Sequence, residues 1–255
     1  MSLNEIENGT IKSEKTEGEK IRALVCGHTG ATGKALVNAL IASPFVESVV
    51  AVGRRENMEH RNSSKLTQHI ITDMMKISSA DPKIAAGCNA AFCCIGTPFN
   101  DVIKKDKQDA YRAVDFGIAT GFAEFAWQAG VDFYSTITGE GTEKESNSQV
   151  NMYRVKQEVE KYVQTLGFER IAFIRPGFLN RGADAGWTER LMLPGLFGIP
   201  VAKVAESMIW AALTQTEAVV GYNGNKKLKQ SAVLFEKITE NKTINQPPNV
   251  FSYCI

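Results

Sequence analysis

The sequence predicts a doubly wound α/β fold, a parallel sheet covered by helices on both faces. Three observations carry this expectation. Short strand-like runs alternate with helical segments along most of the chain, those runs are apolar almost throughout, and the first leads straight into a glycine-rich turn. Strands apolar on both sides belong to a sheet buried on both faces, and strands that alternate with helices belong to a parallel one. A chain of 255 residues suits one large domain of this kind.

The elements follow in order. Residues 1–20 are polar and charged, lack the apolar centre of a secretory signal, and read as a flexible polar tail. A single domain is expected over 21–255, with a small C-terminal elaboration from about residue 176. "IRALVCG" is a buried strand and "GATGKALVNALIAS" the helix after it, ending near Pro44. Strands "SVVAVG" and "QHIITD", a short helix "SADPKIAAG" and strand "AAFCCIG" come next. A long helical stretch from Lys107 to Gly130 leads to strand "DFYSTI", and a helix over Asn151–Leu166 leads to strand "RIAFI". Beyond Ile174 the glycine- and proline-rich "RPGFLNRGADAGWTERLMLPGLFGIP" reads as loop with a short helix. Helix "VAKVAESMIWAALTQ", strand "EAVVGY" and helix "SAVLFEKITEN" complete the pattern.

Composition narrows the function. A formal charge of +1 gives no support to nucleic-acid or membrane partners, and no apolar run approaches the ~18 residues of a spanning helix. The five cysteines, Cys26, Cys88, Cys93, Cys94 and Cys254, are odd in number and lack a C-x-x-C pair, so they read as small buried hydrophobes. His28, His60 and His69 have no metal-ligand spacing, and no metal site is expected. Trp127, Trp187 and Trp210 read as packing residues. A soluble, cytoplasmic protein is expected.

The turn after the first strand, "GHTGATG", carries the chemistry. Glycines at 27, 30 and 33 stand between a buried strand and an amphipathic helix, the setting in which this spacing marks a Rossmann-type dinucleotide site. Gly27 permits the tight turn, Gly30 lets backbone N–H groups approach a pyrophosphate, and Gly33 lets the helix pack closely on the strand. Thr29, Ala31 and Thr32 complete the loop, the threonine hydroxyls and the helix N-terminus adding donors. The second strand ends "AVGRRE". A carboxylate there would take the ribose 2′-hydroxyl of NAD, whereas Arg54 and Arg55 offer guanidinium forks to a 2′-phosphate. NADP(H) is therefore the expected cofactor.

With these motifs in place, the chain resembles the atypical branch of the short-chain dehydrogenase/reductase superfamily, and within it the oxidoreductase-like Tat-interacting protein family. "GHTGATGKAL", "VAVGRR", "FCCIGT", "VKQEVE" and "FIRPGFL" carry the likeness over residues 21 to about 210. The resemblance implies that Asp73 sits beside the adenine, and that Gly96 and Thr97 border the adenine-side ribose and the pyrophosphate. It implies too that Lys156 hydrogen-bonds the nicotinamide ribose and that Pro176 lies beside the nicotinamide ring. The sequence alone also allows a helix cap at Asp73 and a turn at Thr97. Arg175 reads as structural.

In the superfamily a tyrosine hydroxyl supplies the proton for the reaction, its pKa of ~10 lowered by a lysine four residues on. Here Tyr153 and Lys156 are three apart, and Met152 holds the fourth position. At ~100° per residue the two spacings fall on opposite sides of the lysine, so an undistorted helix brings a methionine to the reaction position. Two ways round remain open. The polar "KESNSQVN" reads as an insertion that lets the helix begin late and Tyr153 turn inward; alternatively Thr138 of "STITGEG" serves, with Thr136 and Tyr134 close by.

Three functions fit. The leading expectation is an NADP(H)-dependent oxidoreductase with an altered Tyr–Lys motif, acting on a small carbonyl or alcohol of unknown identity. The second is an NADP(H)-binding regulatory protein that associates with a protein partner, which Met152 and the Tat-interacting resemblance favour. The third is an NAD-holding sugar-nucleotide epimerase or dehydratase, against which stand Arg54, Arg55 and the modest C-terminal region. A substrate pocket is expected from loops after Thr138 and from residues 178–200. A homodimer is compatible with the superfamily, although no exposed apolar face is identifiable for it.

Overall fold

Alternation along the first strand decides how the core is divided. In β1 (Ile21–Cys26) the side chains of Ala23 and Val25 pack into one apolar cluster while Leu24 and Cys26 pack into a second. Successive strand residues point to opposite faces, so a strand apolar in both sets must be covered twice. The computed structural model describes residues 20–97, 105–143, 151–181 and 198–243.

The main sheet adds β2 (Val46–Gly53), β3 (Leu66–Ile70), β4 (Ala90–Cys93), β5 (Phe133–Ile137), β6 (Arg170–Arg175) and β9 (Val219–Asn223). Its strand order is β3-β2-β1-β4-β5-β6-β9, and every pairing is parallel. The order reverses between β1 and β4, and ligands of such sheets bind outside the carboxyl ends of the strands at that point. The expected Rossmann-type doubly wound sheet is thus present.

Helices cover both faces. On one face α1 (Ala31–Ala42), α5 (Val201–Thr214) and α6 (Gly224–Thr243) bury Leu36, Leu40, Met208, Ile209 and Phe235 against the sheet. On the other, α3 (Ala119–Gln128) and α4 (Asn151–Gln164) supply Phe122, Phe125, Val159 and Val163.

Some details depart from the sequence expectation. The long helix is interrupted: α2 (Gln108–Arg112) passes through a π-helical turn, Ala113–Ile118, before α3 begins. The short helix expected over 79–87 is a 3-10 turn, Pro82–Ala85, capped by Asp81, and a second such turn, Met74–Ser79, capped by Asp73, precedes it. The last helix starts at Gly224 rather than Ser231, because Leu228 already lies in the core behind a polar stretch that masks the periodicity. In the glycine-rich region β7 (Leu179–Asn180) pairs with β8 (Ile199–Pro200); the short helix and apolar lining expected between them lie outside the described residues. Trp210 is buried as expected, whereas Trp127, at the end of α3, is 49% exposed and does not pack as expected.

Candidate cofactor site

The phosphate loop begins where β1 ends. Gly27 has φ +82°, and a Cβ on it would lie 2.7 Å from the carbonyl carbon of Cys94, so glycine is required twice over. At Gly33, in the first turn of α1, a Cβ would lie 2.0 Å from the Gly27 carbonyl oxygen. Gly30 differs. It is exposed, its φ of −79° suits any residue, and a Cβ would meet only the Gly27 oxygen, at 3.4 Å. The protein itself makes no demand for glycine there, and the open space in front of it is what a pyrophosphate would fill. No side chain caps α1, so donors of its first turn remain for an anion. Thr29 and Ala31 are half-buried beside this opening, and Thr32 is buried. The loop therefore fits a dinucleotide.

Arg54 and Arg55 follow β2 and are both exposed. His28 joins them to the phosphate loop, its Nε2 lying 2.9 Å from the Arg55 carbonyl oxygen. Its ring stands against Gly53, where a Cβ would come within 2.8 Å of Cε1. Burial, at 1% exposure, pushes the imidazole pKa below its ordinary value; the carbonyls of Arg55 and Val52 oppose that shift in part. A neutral ring can donate from Nε2 to the Arg55 carbonyl, while Nδ1 is buried with no hydrogen-bond partner among the described residues. Sequence reasoning missed this brace, although a histidine after the first glycine and a glycine ending β2 were its signals.

Asp73 takes the capping role that the sequence also allowed. Its carboxylate accepts from the Met75 amide at 3.1 Å and lies 3.7 Å from Lys76 Nζ, with the side chain 54% exposed.

On the other side of the switch point, Gly96 and Thr97 meet Lys156. The lysine Nζ lies 2.8 Å from Asp115 Oδ1, and Asp115 Oδ2 accepts from the Thr97 amide at 2.8 Å. A Cβ on Gly96 would lie 3.9 Å from that carboxylate and 4.0 Å from the ammonium, so the ion pair stands directly beside the glycine. Asp115 comes from the π-helical turn, and nothing in the residues around it pointed to this place.

The hydroxyl candidates are arranged differently. Met152 lies in α4 by its backbone, and its side chain is outside the described part. Tyr153 is half-buried, with its ring beside Gly141 in the turn after β5. Thr138 donates its hydroxyl to Glu160 Oε1 at 2.6 Å, and Thr142 donates to the same oxygen at 2.8 Å. Arg175 grips that carboxylate in a two-pronged pair, Nε to Oε1 at 2.9 Å and Nη2 to Oε2 at 2.5 Å, and reaches Asn223 Oδ1 with Nη1 at 3.0 Å. Arg175 is thus structural, as expected, with Glu160 the partner that the sequence did not reveal. A pocket of about 200 Å³ opens beside Glu160, Arg175 and Thr142, bordered by Gln157 and Lys161 of α4. Pro176 is buried, and its carbonyl accepts from the Glu140 amide at 2.9 Å, tying the "RPG" turn to the loop after β5.

Cys26, Cys88 and Cys93 are buried, Cys94 is half-buried, and all four are free thiols. Burial pushes Cys88 up to about 11 and raises the other three as well, which keeps them protonated and inert.

This geometry agrees with comparisons to known proteins. The sequence profile of the NAD(P)H-binding family matches residues 27–215, from the first glycine of the loop to the end of α5. The chain belongs to that family. It is 27% identical over 197 residues to protein HTATIP2 of Rattus norvegicus, covering 72% of this chain and 78% of that protein. It is 28% identical over 155 residues to the mitochondrial protein fmp52 of Emericella nidulans, covering 60% of this chain and 64% of that protein. The structure of MoeE5 in complex with UDP-glucuronic acid and NAD superposes with a TM-score of 0.65 at 15% identity, covering 86% of this chain and 82% of that one, a likeness of fold. The resemblance to oxidoreductase-like Tat-interacting proteins holds. The cytoplasmic expectation is corrected, because fungal relatives of the chain are mitochondrial proteins.

Proposed function

We propose that this chain is an NADP(H)-dependent oxidoreductase acting on a small alcohol or carbonyl. The observation that carries the reading is the pairing of an uncapped glycine loop with a lysine fixed beside Gly96 on the opposite flank of the switch point. Gly27, Gly30, Gly33 and the first-turn amides would hold the pyrophosphate, and Arg54 and Arg55 the 2′-phosphate. Lys156 would meet the nicotinamide ribose. When bound, the cofactor supplies or takes a hydride.

Thr138 favours the alcohol. Its single hydroxyl hydrogen is given to Glu160, so toward a ligand Oγ1 presents lone pairs, which match the O–H of an alcohol and not the oxygen of a carbonyl. Accepting the O–H there would orient the alcohol for hydride transfer. Tyr153, beside the same turn, is the second candidate for this role.

A second reading, an NADP(H)-binding regulator of a protein partner, is favoured by Met152 and by the Asp115 carboxylate that neutralises the lysine. A panel of small alcohols with NADP⁺ and carbonyls with NADPH decides, run beside Met152→Tyr, Thr138→Val and Tyr153→Phe. Turnover by the unaltered chain that Thr138→Val or Tyr153→Phe abolishes supports the enzyme. An inert chain that gains turnover only as Met152→Tyr supports the regulator and overturns the enzymatic reading.

A further inference from the structure

We infer that His28 sets the preference for NADP(H) over NAD(H), acting through the backbone of Arg55; this deepens the proposed coenzyme reading and rests on it. Both guanidinium groups after β2 are exposed, and neither has an ion-pair or hydrogen-bond partner among the described residues. The chain that carries them is pinned at either end. Before Arg54, the Gly53 carbonyl accepts from the Ile71 amide at 2.9 Å. After Glu56, the Asn57 amide donates to Gln68 Oε1 at 2.6 Å, and Gln68 Nε2 donates back to the Asn57 carbonyl at 3.2 Å. Farther along, His60 Nε2 lies 2.6 Å from Asn38 Oδ1 of α1. Between these pins, among the described residues, Arg54–Glu56 is reached by one hydrogen bond, the 2.9 Å contact of His28 Nε2 with the Arg55 carbonyl.

Holding that carbonyl fixes the peptide after Arg55, and with it the direction in which the guanidinium leaves the loop. An arginine gives up rotational freedom on meeting a phosphate, and less is lost where the backbone beneath it is already set. NADH has no 2′-phosphate, so the gain goes to NADPH alone. Packing does not account for the histidine. Its ring is 1% exposed, and its Nδ1 is buried without a hydrogen-bond partner among the described residues, a costly arrangement that an apolar side chain would avoid. Gly53 is matched to it. This residue does not have the left-handed conformation that favours glycine, yet a Cβ on it would lie 2.8 Å from the imidazole Cε1 and 3.1 Å from Nδ1. The ring takes the room that the missing side chain leaves, and so spans from the phosphate loop to the end of β2.

The test reads the ratio of NADPH to NADH affinity in competition titrations of the full chain. His28→Ala is expected to lower that ratio about fivefold, the size of one hydrogen bond lost. His28→Gln, whose amide nitrogen reaches about as far as Nε2, should bring it back to within about twofold of the unaltered chain. Gly53→Ala forces the ring aside and should lower the ratio in the same way, while adding less than about twofold in a His28→Ala background. In the unaltered chain, the imidazole ¹⁵N signals of His28 should shift further with 2′,5′-ADP than with 5′-AMP, a readout that needs no variant to fold. Equal weakening of both coenzymes by His28→Ala, a glutamine that behaves as alanine does, additive effects of the two substitutions, or a His28 signal that moves alike with both nucleotides each overturns the inference. A ratio unchanged in His28→Ala but lowered in Arg55→Ala overturns it while leaving the 2′-phosphate reading intact. An unaltered chain that binds both coenzymes equally, or neither, removes both.

Discussion

Alanine at Gly30 and alanine at Gly33 separate the needs of the ligand from those of the fold. At Gly33 the new Cβ would sit 2.0 Å from the Gly27 carbonyl oxygen and 2.8 Å from the His28 Cα. These are backbone atoms, so relief requires α1 to move off the loop by more than an ångström. Overpacking of this sort costs about 1–3 kcal/mol, and at roughly 2–4 °C per kcal/mol for a domain of this size Tm should fall by roughly 2–12 °C. At Gly30 the only contact is at 3.4 Å and the backbone suits alanine. A poorer N-cap costs about 0.5–1 kcal/mol there, and the stiffer unfolded chain returns about 0.4–1 kcal/mol, so Tm should stay within about 4 °C. Binding should nonetheless fail, because the methyl group enters the space of the pyrophosphate. Each charge-assisted hydrogen bond lost is worth about 1.5–3 kcal/mol, so one alone raises Kd roughly 10- to 150-fold. Thermal melts and NADPH fluorescence titrations measure both quantities. Gly30→Ala that binds NADPH as tightly as the unaltered chain would refute the assignment of the loop.

Three further outcomes are expected. Glutamate at both Arg54 and Arg55 should reverse the coenzyme preference by at least about tenfold toward NADH in competition titrations, each guanidinium–phosphate contact being worth about 1.5–3 kcal/mol; an unchanged ratio would remove those residues from the site. Glu160→Gln leaves the Arg175 guanidinium buried without its counter-charge, a change that costs about 3–5 kcal/mol, so melts should show a loss of roughly 6–20 °C; a loss under about 2 °C would contradict the described network. His28 gives the pH dependence. Its folded pKa lies below the usual 6.5, so its contribution to stability is full above that value and is lost as pH falls through it toward the folded pKa, where the unfolded chain alone takes up a proton. Tm measured from pH 7.5 to 5.5 should therefore drop less steeply in His28→Gln, and parallel slopes would show that the ring is not held neutral.

The legible parts of the molecule were those whose physics is local. Gly27 and Gly33 announced themselves because a strand, a tight turn and a helix are adjacent in the chain, and the two crowded Cβ positions now show why no other residue serves there. Lys156 is singled out by the family motif alone. Asp115 is not, since an acid inside "AVDFGI" reads as a misplaced polar residue until the π-helical turn brings it against a lysine from another helix. Glu160 resembled any solvated helix acid in "VKQEVEKY"; its burial depends on Arg175, which arrives on a neighbouring strand. At Asp73 the cap that the sequence also allowed is present, its carboxylate accepting from the Met75 amide. Nothing in the residue pattern fixed the Thr138 hydroxyl on Glu160, because its partner lies on α4, 22 residues further along the chain.

The loop between β1 and α1 is the place where a nicotinamide dinucleotide must bind. Isothermal titration calorimetry of the folded chain with NADPH and with NADH addresses this directly. A saturable one-to-one isotherm is predicted with NADPH, tighter than with NADH, and it should disappear in Gly30→Ala. A folded chain that gives no heat of binding with either coenzyme would contradict the account.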